Sequence, residues 1–267
     1  MKRFHLFVFA SSLSLLFHSC TTYVIPGALG VDVPYKQRPM VSDSITSAIN
    51  VSGGFASSES LGAEGKTNVG ILSINRGHTL KDINFSYGLL GFTGKRMKSR
   101  VVEVDNQIPN FSKNLYGFGI HTSVGHHFTS KRGNTDYRII NWENTITREF
   151  GEYLNFRKQL YGNTLYKQVL VSKSEVLWVT GLSSEIIFHH RRNKDLKHAF
   201  KLFIGGAPDL SRTFDYAIKE PNFKQIDREF NSMYFQASYF FKYKNFNLSC
   251  QADFGRQASS ISLGYTF

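Results

Sequence analysis

Apolar and polar residues alternate one by one over long stretches of this chain, most clearly in its last third. Met233, Phe235, Ala237, Tyr239, Phe241 and Tyr243 share one phase, and Ser232, Tyr234, Gln236, Ser238, Phe240 and Lys242 the other. The pattern repeats with Phe246, Leu248, Cys250, Ala252 and Phe254 against Asn247, Ser249, Gln251, Asp253 and Gly255. It repeats again with Ile261, Leu263, Tyr265 and Phe267 against Ser260, Ser262, Gly264 and Thr266. A period of two places successive side chains on opposite faces of a strand. Read back along the chain, similar stretches predict strands at 196–206, 174–189, 115–129, 82–93, 66–75 and 44–55. Residues 135–146 alternate too, but Trp142, Ile146, Phe150 and Leu154 lie four apart, so a loop helix competes there, weakened by Gly151.

With 135–146 included, the strands number ten. The predicted fold is all-β: an antiparallel up-and-down transmembrane β-barrel of about 10 strands, within a range of about 8–12. A tilted strand needs about 9–11 residues to cross a bilayer, and these runs are of that order. A soluble β-sandwich also alternates and is the competing fold. The polar faces favour the barrel, because Ser, Gly, Asn and Gln suit a narrow interior. Connection lengths favour it as well. The segments RGHTLK, SKRGN, RRNKDLK and KN are short, whereas roughly residues 94–114, 147–173 and 207–229 are long. Bacterial barrels pair short periplasmic turns with longer outer loops, and the alternation here is in phase with both termini periplasmic. Phe128, Tyr243, Phe246 and Phe267 then share one rim, where aromatic rings suit the membrane interface.

The last residues carry a resemblance. Ile261, Leu263, Tyr265 and terminal Phe267 resemble the assembly signal of outer-membrane β-barrels, which implies that the closing strand is read by the barrel-assembly machinery. The first twenty residues carry another. Lys2 and Arg3 precede an apolar run from Leu6 to Phe17, too short to span a bilayer and typical of a secretory leader. The leader ends Ser19–Cys20, which resembles the lipobox of bacterial lipoproteins, with Phe17 and His18 standing in place of the usual Leu and small residue. The resemblance implies that Cys20 becomes an acylated N-terminus; the alternative is an ordinary exported protein. With Thr21 and Thr22 following and no Asp, the sorting pattern of such lipoproteins implies the outer membrane of a Gram-negative bacterium. An anchor on the periplasmic side is expected from the two termini. The domain reading is therefore a signal peptide over 1–19, a lipidated tether or plug over 20–43, and the barrel over 44–267.

Composition changes little. The 267 residues carry a formal charge of +12 and 15% aromatic residues, with only two cysteines. A basic chain can bind nucleic acid, but no basic helical stripe or recognition motif accompanies the charge; Lys and Arg in loops beside an anionic membrane surface fit it better. No nucleic-acid partner is expected. If Cys20 is acylated, Cys250 has no partner for a disulfide. Zinc spacings, phosphate loops, dinucleotide fingerprints and nucleophile elbows are all missing from the sequence, so no cofactor or metal is expected.

Chemistry-bearing residues fall in two places. His121, His127, Glu175, Glu185, His189 and Asp253 are predicted to face the interior, and a histidine beside a carboxylate can act as a general base. Space-filling polar pairs inside a narrow barrel are the competing reading. The basic group Lys95, Arg96, Lys98 and Arg100 opens the long loop after the third strand. It is either a contact for lipopolysaccharide phosphates or a solvated loop. The expected role is structural or interactive: an outer-membrane barrel lipoprotein serving an unknown envelope partner, as an accessory subunit of an envelope complex. The alternatives are a barrel enzyme acting on lipid or lipopolysaccharide and a narrow passive channel.

Overall fold

The computed structural model describes residues 22–38, 46–59, 65–99, 108–130, 134–161, 169–190, 193, 195–216 and 232–267. In chain order they form β1 (Thr22–Val24), β2 (Ser47–Glu59), β3 (Lys66–Thr79), β4 (Ile83–Lys98), β5 (Phe111–Thr129) and β6 (Thr135–Phe150). A helix α1 (Glu152–Leu160) follows, then β7 (Val169–Ser172), β8 (Val176–His189), β9 (Leu196–Gly206) and β10 (Phe214–Tyr216). The chain closes with β11 (Met233–Tyr243), β12 (Phe246–Asp253) and β13 (Ala258–Thr266).

Ten of these strands make one closed antiparallel barrel, in the order β11-β12-β13-β2-β3-β4-β5-β6-β8-β9. The ring is completed by β9 pairing with β11 and by β13 pairing with β2. Each barrel strand follows its neighbour in sequence, so the topology is up-and-down. Closure leaves no unpaired sheet edge. All ten predicted strands are present, and several run on past their predicted ends. The alternative of two facing sheets fails: Met233 and Leu263 are 58% and 67% exposed on the outer wall instead of hidden between layers.

The segment with two competing patterns is a strand that becomes a helix. β6 runs to Phe150, Gly151 takes φ +105°, and α1 begins at Glu152. That backbone conformation is open to glycine at no steric cost. The four-residue spacing of Trp142, Ile146, Phe150 and Leu154 therefore spans a strand and the helix after it. Trp142 and Ile146 lie on the outer wall, and Leu154 is buried in the cap described below.

The two ends of the barrel differ. At the turn end the strands are joined by residues 80–82, 130–134, 190–195 and 244–245; at the loop end the connections run over 60–65, 99–110, 151–175, 207–232 and 254–257. Outward aromatic rings pair near the turn end: Phe128 with Tyr137 at 4.9 Å, Phe246 with Tyr265 at 5.2 Å, and Tyr265 with Phe267 at 4.8 Å. The wall between the ends is apolar outside, with Leu72, Leu89, Phe118, Leu182, Leu202 and Ile261 all exposed.

Candidate functional site

The lumen is occupied by the chain's own N-terminal segment. β1 lies beyond the loop end, parallel to β7, with Thr22 opposite Val169 and Val24 opposite Val171; β10 covers the other edge of β7. From there residues 25–38 descend inside the barrel. Their hydrogen-bond partners follow the barrel axis in order. Ile25 C=O accepts from Tyr153 of α1 at 2.9 Å, and Gly27 N–H donates to Glu149 at 2.5 Å. Leu29 C=O accepts from Ser58, near the loop-end limit of β2, and Val33 C=O accepts from Gln251. Near the turn end, Asn75 donates to Gln37 C=O at 2.6 Å and Thr266 donates to the Gln37 side chain at 3.2 Å. Backbone inside a barrel must find partners for its N–H and C=O groups; the walls supply those above, and a turn over 26–31 supplies others, with Leu29 N–H donating to Pro26 C=O at 3.2 Å and Val31 N–H to Ala28 C=O at 3.0 Å. Of residues 20–43, expected to be a tether or a plug, the described part places β1 beyond the loop end and residues 25–38 inside the lumen.

The plug has two zones. Towards the loop end it is apolar: Val24, Ile25, Ala28 and Leu29 pack with Leu115 and Tyr153 in one buried cluster. Towards the turn end it is charged. Lys36 and Lys201 share the carboxylate of Glu143, at 3.2 and 2.7 Å. Arg138 and Arg38 share Glu185, at 2.5 and 3.5 Å, and Tyr35 donates its hydroxyl to the other oxygen of Glu185. Arg38 also donates to Asn141 at 2.8 Å and to Asn84. All these side chains are buried. Removing one member of a buried ion pair costs about 3–5 kcal/mol, because the other charge is left without compensation. The network therefore holds the plug in one register.

The loop end is capped. Arg157 of α1 donates to Glu149 at 2.9 Å, to Ser174 C=O at 3.0 Å and to Ser172 C=O, tying the helix to β6 and β7. The guanidinium groups of Arg96 and Arg157 lie 5.5 and 5.6 Å from the Tyr153 ring centre. Burial pushes the Tyr153 hydroxyl above its ordinary pKa, which keeps it the donor to Ile25. On the exposed rim, hydrogen bonds from Lys158 and Arg148 hold Glu175 below the usual carboxylate range.

The residues singled out from the sequence are distributed as follows. His121, His127, Glu185 and His189 do face inward, but each is engaged separately. His121 lies 3.4 Å from Ser73, His127 lies 3.5 Å from Asn84, and His189 pairs with Asp136 at 2.8 Å. Glu185 is held by Arg138, Arg38 and Tyr35, so it is placed to clamp the plug. Glu175, expected inside, instead lies on the rim between Arg148 and Lys158, because it precedes the first residue of β8. The basic group is divided by strand alternation. β4 extends to Lys98, so Arg96 and Lys98 point inward, donating to Thr67 and to Ile108 C=O, while Lys95 points out. A shared basic face made of Lys95, Arg96 and Lys98 is thus not formed; Arg100 lies outside the described residues, as does Cys20. Ile261, Leu263, Tyr265 and Phe267 lie on the outer wall of β13 and its end, and Phe267 N–H bonds Ile49 C=O at 2.8 Å across the closing seam.

The sequence reading missed Tyr35, Lys36, Arg38, Glu143 and Glu149. The available signal was the coincidence of inward-phase Glu143, Glu149 and Glu185 with an unassigned segment bearing Lys36 and Arg38.

No known protein family matches the chain, and no curated protein matches it. Solved structures align with it at low similarity. The P. putida toluene transporter TodX aligns over 93% of this chain and 94% of its own, at 10% identity and TM-score 0.35. An outer membrane channel from Pseudomonas putida F1 aligns over 87% and 100%, at 8% identity and TM-score 0.42. The translocator domain of the autotransporter NalP from Neisseria meningitidis aligns over 84% and 89%, at 7% identity and TM-score 0.40. These alignments carry nothing about transport or translocation by this chain.

Proposed function

We propose that this chain is an outer-membrane β-barrel lipoprotein that is sealed by its own N-terminal segment and works through the folded cap at its loop end. Its role on this reading is structural or interactive, as an accessory subunit of an envelope complex. The observation that carries the proposal is the occupied lumen. Residues 25–38 run the length of the barrel, and the cations of Lys36 and Arg38 are met by Glu143 and Glu185. A pore needs a continuous water path, and this lumen is filled by apolar packing at one end and ion pairs at the other. Membrane placement is supported by the apolar outer wall, far larger than the exposed patches that soluble monomers tolerate, and by the outward aromatic rings at the turn end. The turn end is then periplasmic and the loop end external, as in barrels with short inner turns and longer outer loops.

The channel reading has one feature in its favour. A small space beside the plug, with room for little more than a water molecule, separates Val31, Val33 and Pro34 from Ser52, Ser73 and Ser262. A shift of the plug would enlarge it.

Planar-bilayer recording separates the two. The full chain is expected to give no steady conductance, and a variant lacking residues 22–38 to conduct. A stable ohmic conductance from the intact chain would overturn the sealed reading in favour of the channel.

A further inference from the structure

The direction in which the plug is threaded bears on where the chain before it leads. β1 is parallel to β7, and β7 runs towards the barrel into β8. Thr22 is therefore farther from the barrel than Val24, and the described segment begins at the loop end. Cys20 is joined to Thr22 through two peptide links, a reach of at most about 7 Å whatever the conformation. The other end of the segment is fixed just as firmly. Gln37 and Arg38 bond Asn75, Thr266 and Asn84 near the turn end, from which the chain enters β2 at Ser47.

From this geometry we infer that the chain passes through its own barrel from the external face to the periplasmic one, so that acyl chains on Cys20 insert into the outer leaflet from outside. This replaces the expected periplasmic-side anchor, and it rests on the outer-membrane reading above. The ligand class is the hydrocarbon of the external leaflet, and the attachment is to the same face that carries α1 and the β1–β7–β10 sheet. Acyl chains contribute about 0.8 kcal/mol per buried CH₂, so the anchor would hold the cap against the membrane surface.

The filled lumen adds an order of events. An acylated head cannot be drawn through a barrel whose interior holds Phe240, Phe203, Arg138 and Lys201 fully buried. The strands must close around the segment, with β13 meeting β2 last, while the N-terminal end is already on its way out.

Site-directed labelling of intact cells tests the inference. In a Cys250→Ser background, three single changes are compared with a membrane-impermeant maleimide: Thr21→Cys, Asp209→Cys as the loop-end reference and Asn245→Cys as the turn-end reference. Asp209 and Asn245 are both exposed. Thr21→Cys is expected to label like Asp209→Cys in intact cells, with Asn245→Cys labelled only after the outer membrane is permeabilised. Labelling of Thr21→Cys that follows Asn245→Cys overturns the threading. If the two references label alike, the membrane reading fails instead, which is a different result. A short epitope inserted between Thr21 and Thr22 and read by antibody on whole cells gives the same comparison without a new cysteine. Mass spectrometry of the wild-type N-terminal tryptic peptide, Cys20–Lys36, is expected to find acyl mass on Cys20; an unmodified Cys20 would overturn the lipid half of the inference.

Discussion

Tyr35 and Phe240 lie face to face, with 4.7 Å between ring centroids and 12° between ring planes. One ring belongs to the threaded segment and the other to the inner face of β11, so the stack joins plug to wall. Tyr35 also gives its hydroxyl to Glu185. Replacing Tyr35 by Ala removes both contacts and should cost about 3–5 kcal/mol, the range for truncating a buried aromatic. Tyr35→Phe keeps the stack and leaves one oxygen of Glu185 short of a donor, at a cost of about 1–3 kcal/mol. Urea titration of the folded barrel in detergent would rank wild type above Tyr35→Phe above Tyr35→Ala. Equal midpoints would mean that the plug adds nothing to stability.

The second prediction concerns the doubled ion pair. Glu143→Gln leaves Lys36 and Lys201 buried without their shared carboxylate and should destabilise by about 3–5 kcal/mol or more. Lys36→Met should cost less, because Lys201 still neutralises Glu143 at 2.7 Å and Met fills most of the vacated space. The plug variant is thus the milder of the two, although both break the same contact. Bilayer recording adds a readout: brief conductance bursts are expected from Glu143→Gln as the plug loosens. Identical behaviour of the two variants would show that Lys201 does not share the carboxylate.

The barrel was legible because strand alternation is a local property. Every second residue from Met233 to Phe267 faces outward or into the lumen according to its own position, and no long-range information is needed to see it. The plug was not legible because its residues answer to partners far along the chain. Lys36 meets Glu143 and Arg38 meets Glu185, separations of 107 and 147 positions. The segment itself shows no period. Pro26 and Pro34 interrupt any regular pattern, and its apolar stretch from Tyr23 to Val33 reads equally as tether or packing. The same limit explains the basic group. Arg96 and Lys98 look like loop charges until β4 is known to extend to Lys98, where alternation turns both inward.

The cap should open without the barrel. Arg157 ties α1 to Glu149, Ser172 and Ser174, and Arg157→Ala removes all of these bonds while leaving each barrel strand paired. Glu149 loses its cation, at a cost of about 3–5 kcal/mol at the loop end, but keeps Gly27 N–H as a donor, and the turn-end ion pairs of Lys36 and Arg38 should keep the plug in place. Limited proteolysis should then cut within 151–175 faster than in wild type, while heat-modifiable gel mobility, the sign of an intact barrel, is unchanged. Loss of heat modifiability would mean that the cap is needed for closure as well as for covering the lumen.

Closure itself can be tested at two adjacent glycines of β2. Gly54 faces inward at the seam, and a Cβ there would lie 2.2 Å from Ile261 C=O and 2.6 Å from the Ser262 Cβ. The neighbouring strand cannot give way to that extent without breaking the Gly54–Ser262 register. Gly53 faces out, and a Cβ there meets nothing closer than 3.9 Å. Gly54→Val should therefore block the β2–β13 pairing and leave little folded, heat-modifiable protein in the membrane. Gly53→Val should assemble at wild-type levels, since a β-branched residue suits a lipid-facing strand position. Because the plug lies inside, a seam that fails to close should also leave residues 22–38 open to protease. A Gly54→Val variant that assembles normally would show that β2 and β13 meet in another register.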